Sequence, residues 1–189
     1  MLRIGYIGLG IMGKSIARNI LKAGFPVVVH NRSRGAVDEL AAEGAQAATS
    51  PAEVAAQVDV LFTNLPDSPD VEKVALGAKG VIEGAHNGLI FVDNSTIKPA
   101  TARLIAKKLA EAGVAALDAP VSGGDVGARN ATLTIMVGGE ASAVEKVMPV
   151  FEVMGKKITH IGEAGTGQVA KAANQIMVAA QMVAMAELL

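Results

Sequence analysis

At 189 residues and 51% hydrophobic composition, the chain has enough material for one globular domain burying about 70% of its unfolded surface, which excludes disorder. Seventeen basic against 18 acidic residues give a net charge of −1 with no Lys/Arg run, so nucleic acid is set aside as a partner. Cysteine is absent, which removes disulfides, thiolate nucleophiles and Cys-ligated metals and leaves the cytoplasm as the default compartment.

The first element is "LRIGYI", a strand-length apolar run followed by the helical pattern "MGKSIARNILKAG". Its glycine breaks and lack of a small-residue cleavage site do not fit a leader peptide. At the junction, "GLGIMG" places Gly8, Gly10 and Gly13 in G-x-G-x-x-G spacing, with Leu9, Ile11 and Met12 between them. Gly8 permits a tight turn, Gly10 lets backbone approach a pyrophosphate, and Gly13 lets helix and strand pack closely, the helix N-terminus facing the anion. The spacing alone also suits a glycine-rich turn that binds nothing; its strand-turn-helix context points to dinucleotide binding.

The second strand, "PVVVHN", runs into Asn31, Arg32, Ser33 and Arg34 where an NAD site would place an acid on the ribose. A guanidinium at Arg32 can take a 2′-phosphate through paired hydrogen bonds, and Asn31 and Ser33 can add neutral ones, so NADP is the expected cofactor with NAD as the alternative. Helix "GAVDELAAEG" follows, then "PAEVAAQ" with Ser50 as N-cap and Pro51 in its first turn. Gly24, Gly44 and Gly113 stand where C-terminal glycines belong.

Strand "VDVLFTNL" precedes helix "PDVEKVAL", and "GLIFVDNS" precedes "PATARLIAKKLAEAG". Then come "VAALDAP", "TLTIMVGG" before "SAVEKVMPVFEVMG", and "KKITHIG" before the final helix. Strands that alternate with helices imply crossover connections, hence an α/β, Rossmann-like fold: a mainly parallel sheet with helices on both faces. Asp93 and Asp118 end two of the strands as caps or turn formers. His30, His86 and His160 are scattered without metal-ligand spacing.

The last helix, from Thr166, is apolar in most directions and reads as interior, but Gln168, Lys171 and Gln175 fall on one stripe with Asn174 beside it. Gln181 and Glu187 interrupt it, so it is not expected to span a membrane. A lone lysine in such a rod either snorkels to solvent or serves a pocket.

Taken together, "GLGIMG", "DAPVSGGDVGARNATLTIMVGG" and "GTGQVAKAANQ" resemble the β-hydroxyacid dehydrogenases, whose members include 3-hydroxyisobutyrate dehydrogenase and tartronate, glyoxylate and succinic semialdehyde reductases. The resemblance covers essentially the whole chain. It implies an NADP-binding Rossmann-like domain over residues 1–164, and over 165–189 the start of an interdomain helix leading to an all-helical domain that is not in the chain. It further implies that Ser122, Gly123 and Gly124 receive the carboxylate of a small hydroxy acid or semialdehyde, a reading supported by the anion-binding concavity that successive small residues make. Leu65, Pro66 and Thr96 match the segments beside the nicotinamide, and Lys171 matches the general acid-base of hydride transfer. An asparagine stands four residues after that lysine in many members; here that position is Gln175, and Asn174 is the expected substrate-orienting amide. The expected function is reduction of a small semialdehyde or oxidation of a 3-hydroxy acid, the alternative being an NADP-binding module without chemistry. The exposed apolar helix is expected to pack on another copy of the chain or to mark a fragment of a longer protein.

Overall fold

The computed structural model describes residues 1–188; among these, nine strands and eight α-helices alternate along the chain. Strands β1 (Ile4–Ile7), β2 (Val27–His30), β3 (Gln46–Ala47), β4 (Val60–Thr63), β5 (Ile90–Asp93) and β6 (Ala115–Asp118) are parallel, in the spatial order β3-β2-β1-β4-β5-β6. The chain therefore starts in the middle of the sheet and winds outward both ways, leaving its switch point between β1 and β4. Beyond β6 the pattern changes. Strand β8 (Leu133–Gly138) runs antiparallel to β6 and to the two-residue β7 (Val121–Ser122) along one of its edges, and β9 (Gly155–Gly162) pairs with it in parallel.

Period-2 alternation in the strands feeds two cores. Ile4, Tyr6, Phe62 and Val92 face helices α1 (Ile11–Lys22), α2 (Gly35–Ala42) and α7 (Ala141–Phe151). Ile7, Val28, Leu61 and Phe91 face α3 (Pro51–Ala55), α4 (Ser68–Leu76) and α5 (Pro99–Ala110). Tyr6 stacks on Phe62 with ring centroids 5.9 Å apart, and Phe151 meets Phe62 edge-on at 6.0 Å. These rings are fully buried, and each stabilises the fold by about 1.5–3 kcal/mol relative to exposure.

Local signals set the helix ends. The Ser50 hydroxyl accepts from the Glu53 N–H at 3.1 Å, while the Glu53 carboxylate reaches back to the Thr49 N–H, closing both sides of the α3 start. Four short elements escape the sequence reading: β3, the 3-10 turn Val81–Gly84, β7 and α6 (Gly124–Arg129) are too brief to show a period.

The last helix, α8 (Thr166–Leu188), corrects the expectation of an interior rod. Only the start of its polar stripe is buried: Gln168 and Lys171 are covered, Asn174 is half-buried and Gln175 exposed, and Ile176, Met177, Met182, Val183 and Met185 are each at least 60% exposed. The inversion arises because the first turns lie across β6, β8 and α5, where polar strand ends wait, and nothing among the described residues covers the rest. Leu189, the final residue of the expected helix, lies outside the described residues. No helix among those described is long and apolar enough to cross a membrane.

Candidate active site

Because β1, β2, β4, β5 and β6 are parallel, the loops after them gather at one edge of the sheet, where ligands of such folds bind. Gly8 turns the chain out of β1 with φ of +93°, and a Cβ on it would lie 2.2 Å from the Asn64 carbonyl oxygen. A Cβ on Gly13 would lie 1.9 Å from the Gly8 carbonyl oxygen, so α1 can sit on the loop only with glycine there. Gly10 differs: its Cβ would meet nothing within 4 Å. It is also the N-cap of α1, with no side-chain cap and no acid in the first turn, so the helix offers its free N–H groups to open space. Ile11, 79% exposed, and the half-buried Met12 follow on this face. The cradle fits a pyrophosphate.

At the end of β2 the structure changes the reading of Asn31. Its Oδ1 accepts from the Leu9 N–H at 3.0 Å and its Nδ2 donates to the Ser33 carbonyl and hydroxyl, so the amide is spent on holding the glycine loop rather than aimed outward. Arg34 pairs with Asp38 at 2.9 Å. Arg32 and Ser33 are exposed, and Arg32 makes no ion pair among the described residues.

The loops after β4 and β5 are tied by a buried carboxylate. Asp93 Oδ1 accepts from the Thr63 hydroxyl at 2.7 Å, the Ser95 hydroxyl at 2.6 Å and the Ser95 N–H at 3.1 Å. Ser95 Oγ in turn accepts from the Leu65 N–H at 2.8 Å. Leu65 is thereby fixed, while Pro66 and Thr96 stand exposed beside it. Burial pushes the Asp93 carboxyl up to about 6, against the lowering effect of the donors. Its other oxygen, Asp93 Oδ2, is buried without a hydrogen-bond partner among the described residues, as is Asn64 Nδ2. The neighbouring Asn94 donates to the Ala119 carbonyl at 2.8 Å, linking this loop to the segment that runs into Ser122.

Ser122 ends β7, and Gly123 and Gly124 follow with φ of +133° and +62°, opening α6. The expected substrate loop is thus a strand end turned sharply by two left-handed glycines. Both glycines are exposed, and Gly124 has open space where a Cβ would be.

Lys171 stands on α8 three residues after Gln168. It is 8% exposed, forms no ion pair among the described residues, and its pKa is held below the ordinary lysine value by burial. Asn174 and Gln175 separate: Asn174 is half-buried with Oδ1 buried and unpartnered, while Gln175 is exposed. Of the two amides, only Asn174 keeps a buried acceptor that has no partner among the described residues.

The sequence reading passes over what holds α8. Asp118 accepts from the Gly165 N–H at 2.6 Å and the Gln168 N–H at 2.8 Å, and burial raises its pKa despite these donors. Gly167 leaves no room for a Cβ, which would sit 2.5 Å from the Met136 carbonyl and 2.6 Å from that of Asp118. The signal that could have found this is an acid at a strand end paired with a glycine-bounded helix start.

Residues 3–162 match the family model of the NAD binding domain of 6-phosphogluconate dehydrogenase. Among curated relatives, the 2-hydroxy-3-oxopropionate reductase of Escherichia coli is 43% identical over 189 residues, 100% of this chain and 64% of its own length. The NAD-dependent L-serine dehydrogenase of Pseudomonas aeruginosa is 46% identical over 187 residues, 99% of this chain and 63% of its own. The Mycobacterium tuberculosis 3-hydroxyisobutyrate dehydrogenase structure with L-serine superposes with a TM-score of 0.93 at 38% identity, over 99% of this chain and 63% of that one. The chain thus spans 62–64% of the length of the first curated relatives it matches. With the glycine cradle, the strand order and these matches in agreement, the chain belongs to the β-hydroxyacid dehydrogenase family and carries its NAD(P)-binding Rossmann-like domain.

Proposed function

We propose that the protein is an NADP-dependent oxidoreductase that reduces a small carboxylate-bearing semialdehyde, or oxidises the corresponding 3-hydroxy acid, with Lys171 as general acid-base. The observation that carries the reading is a desolvated lysine with no counter-ion among the described residues, one helical turn beyond a turn pinned to Asp118 and Ser95. Gly8, Gly10 and Gly13 with the α1 N-terminus would hold the dinucleotide pyrophosphate, and Leu65, Pro66 and Thr96 would flank its nicotinamide end. The nicotinamide, when bound, supplies or accepts the hydride. Ser122, Gly123 and Gly124 bind the substrate carboxylate through hydroxyl and backbone donors, and Asn174 orients the reacting oxygen. In reduction the Lys171 ammonium gives a proton to the nascent alkoxide; in oxidation its neutral amine removes the hydroxyl proton. Burial suits it to both, since it brings deprotonation closer to neutral pH.

NADP rather than NAD is supported by the lack of an acid in the Asn31–Arg34 stretch after β2 and by the exposed Arg32, which has no ion pair among the described residues, assisted by Ser33. The exposed face of α8 supports self-association, a second copy presenting the same apolar surface. The test is NADPH-dependent reduction of glyoxylate and of succinic, tartronate and methylmalonate semialdehydes by the longest natural form of the protein, alongside dissociation constants for NADPH and NADH. Turnover of at least one with NADPH bound more tightly is expected. Nucleotide binding with no turnover would leave a binding module, and tighter NADH binding would contradict the role of Arg32.

A further inference from the structure

Gln168 is 1% exposed, and both the oxygen and the nitrogen of its side-chain amide are hydrogen-bonded. Its Oε1 accepts from the Ile97 N–H at 3.1 Å, and its Nε2 donates to the Ser95 carbonyl at 2.8 Å. One amide therefore grips the β5–α5 loop on both sides of Thr96, whose own side chain stays exposed. The same residue's N–H is held by Asp118 at 2.8 Å, so the grip is attached to β6 as well. Three residues on, along the same helical face, stands Lys171.

Holding a glutamine side chain in one geometry costs rotamer entropy, and both partners are backbone groups that an ordinary turn could satisfy internally. What the arrangement does that a turn would not is join two segments 71 to 73 residues apart. We propose that Gln168 is a positioning residue, a clasp that sets Lys171 at a fixed place relative to the Ser95–Ile97 loop and so relative to the cofactor's reactive end. This rests on the function proposed above for Lys171 and Thr96. The charged groups packed around the clasp are Asp118, Asp93 behind Ser95, and Arg103 of α5, which lies against Gly165. None of them forms an ion pair with Lys171.

The test uses Gln168→Met, similar in length but without donor or acceptor, and Gln168→Asn, polar but one methylene short. Three quantities are measured: hydrogen exchange of the Ile97 amide, the titration of Lys171 followed by pH-dependent acylation and mass spectrometry, and the kinetic constants. Either variant is expected to speed Ile97 exchange about tenfold or more while the Leu61 and Val92 amides inside the sheet keep their protection. The Lys171 midpoint moves up toward the ordinary lysine value as the helix turn loosens and water enters. kcat falls about tenfold or more while the NADPH KM changes less than about threefold. A merely structural role predicts lost stability with Lys171 titration and kcat unchanged, and that result in folded variants overturns the clasp. If Lys171 shifts as expected but the parent protein reduces no aldehyde, the clasp stands and the proposed reaction falls.

Discussion

Gly10 and Gly13 are three residues apart and do opposite things. Gly13 is packed so tightly that a methyl group would collide with the Gly8 carbonyl, whereas a methyl on Gly10 would project into open space with φ of −70°. Gly13→Ala is therefore expected to cost about 2–3 kcal/mol or more in urea unfolding. Gly10→Ala should leave stability within about 0.5 kcal/mol of the parent and weaken NADPH binding about tenfold or more, because only a ligand would meet the new methyl. Equal nucleotide affinity in Gly10→Ala would remove the cradle. Asp93 makes a second residue-scale prediction. Its folded pKa, about 6, lies above the unfolded carboxylate value, so the native state holds the proton more tightly. The resulting stability is present below about pH 4 and lost as the pH rises through about 6, a term of up to about 3 kcal/mol. Denaturant curves for parent and Asp93→Asn should accordingly diverge between pH 4 and pH 7 in favour of the variant; parallel curves would mean that the carboxyl titrates normally.

At the scale of elements, the sequence showed most of what had a period or a punctuation mark. The long strands, the helices between them, the Ser50 cap and the glycine loop were all legible because each follows from local chemistry. What was not legible depends on which element lies against which. Asn31 was read as a neutral partner of a 2′-phosphate and is bonded to the Leu9 N–H and to Ser33, since nothing in "VVVHNRSR" reveals that the loop after β1 needs a partner. In α8, hydropathy cannot say that Gln168 and Lys171 face the protein and the methionines face out. That inversion predicts behaviour: an apolar helix surface of this extent should draw the chain into dimers at micromolar concentration by light scattering. Charged substitutions such as Met182→Lys with Val183→Glu should return it to a monomer with an unchanged sheet. A parent chain that is already monomeric contradicts self-association.

At the scale of the molecule, the parallel sheet collects the glycine cradle, the clamp between Asp93 and Ser95, the left-handed turn after Ser122 and the first turns of α8 at one edge. The glycine cradle, the turn after Ser122 and the start of α8 were each nominated by a separate motif, the Asp93–Ser95 clamp by none, and the topology is what makes all four neighbours. Lys171 is central: it is buried without a counter-ion among the described residues, where a charged group is costly. The decisive measurement is a comparison of Lys171→Ala with the parent for NADPH affinity and for aldehyde reduction across pH. The account predicts NADPH affinity within about threefold and kcat lowered about 10²–10⁴-fold, the usual range for a lost general acid. It also predicts that the parent's reduction rate declines with rising pH at a midpoint below the ordinary lysine value of about 10.4, a limb the variant lacks. Parent-like turnover in Lys171→Ala, with the same pH profile, would contradict it.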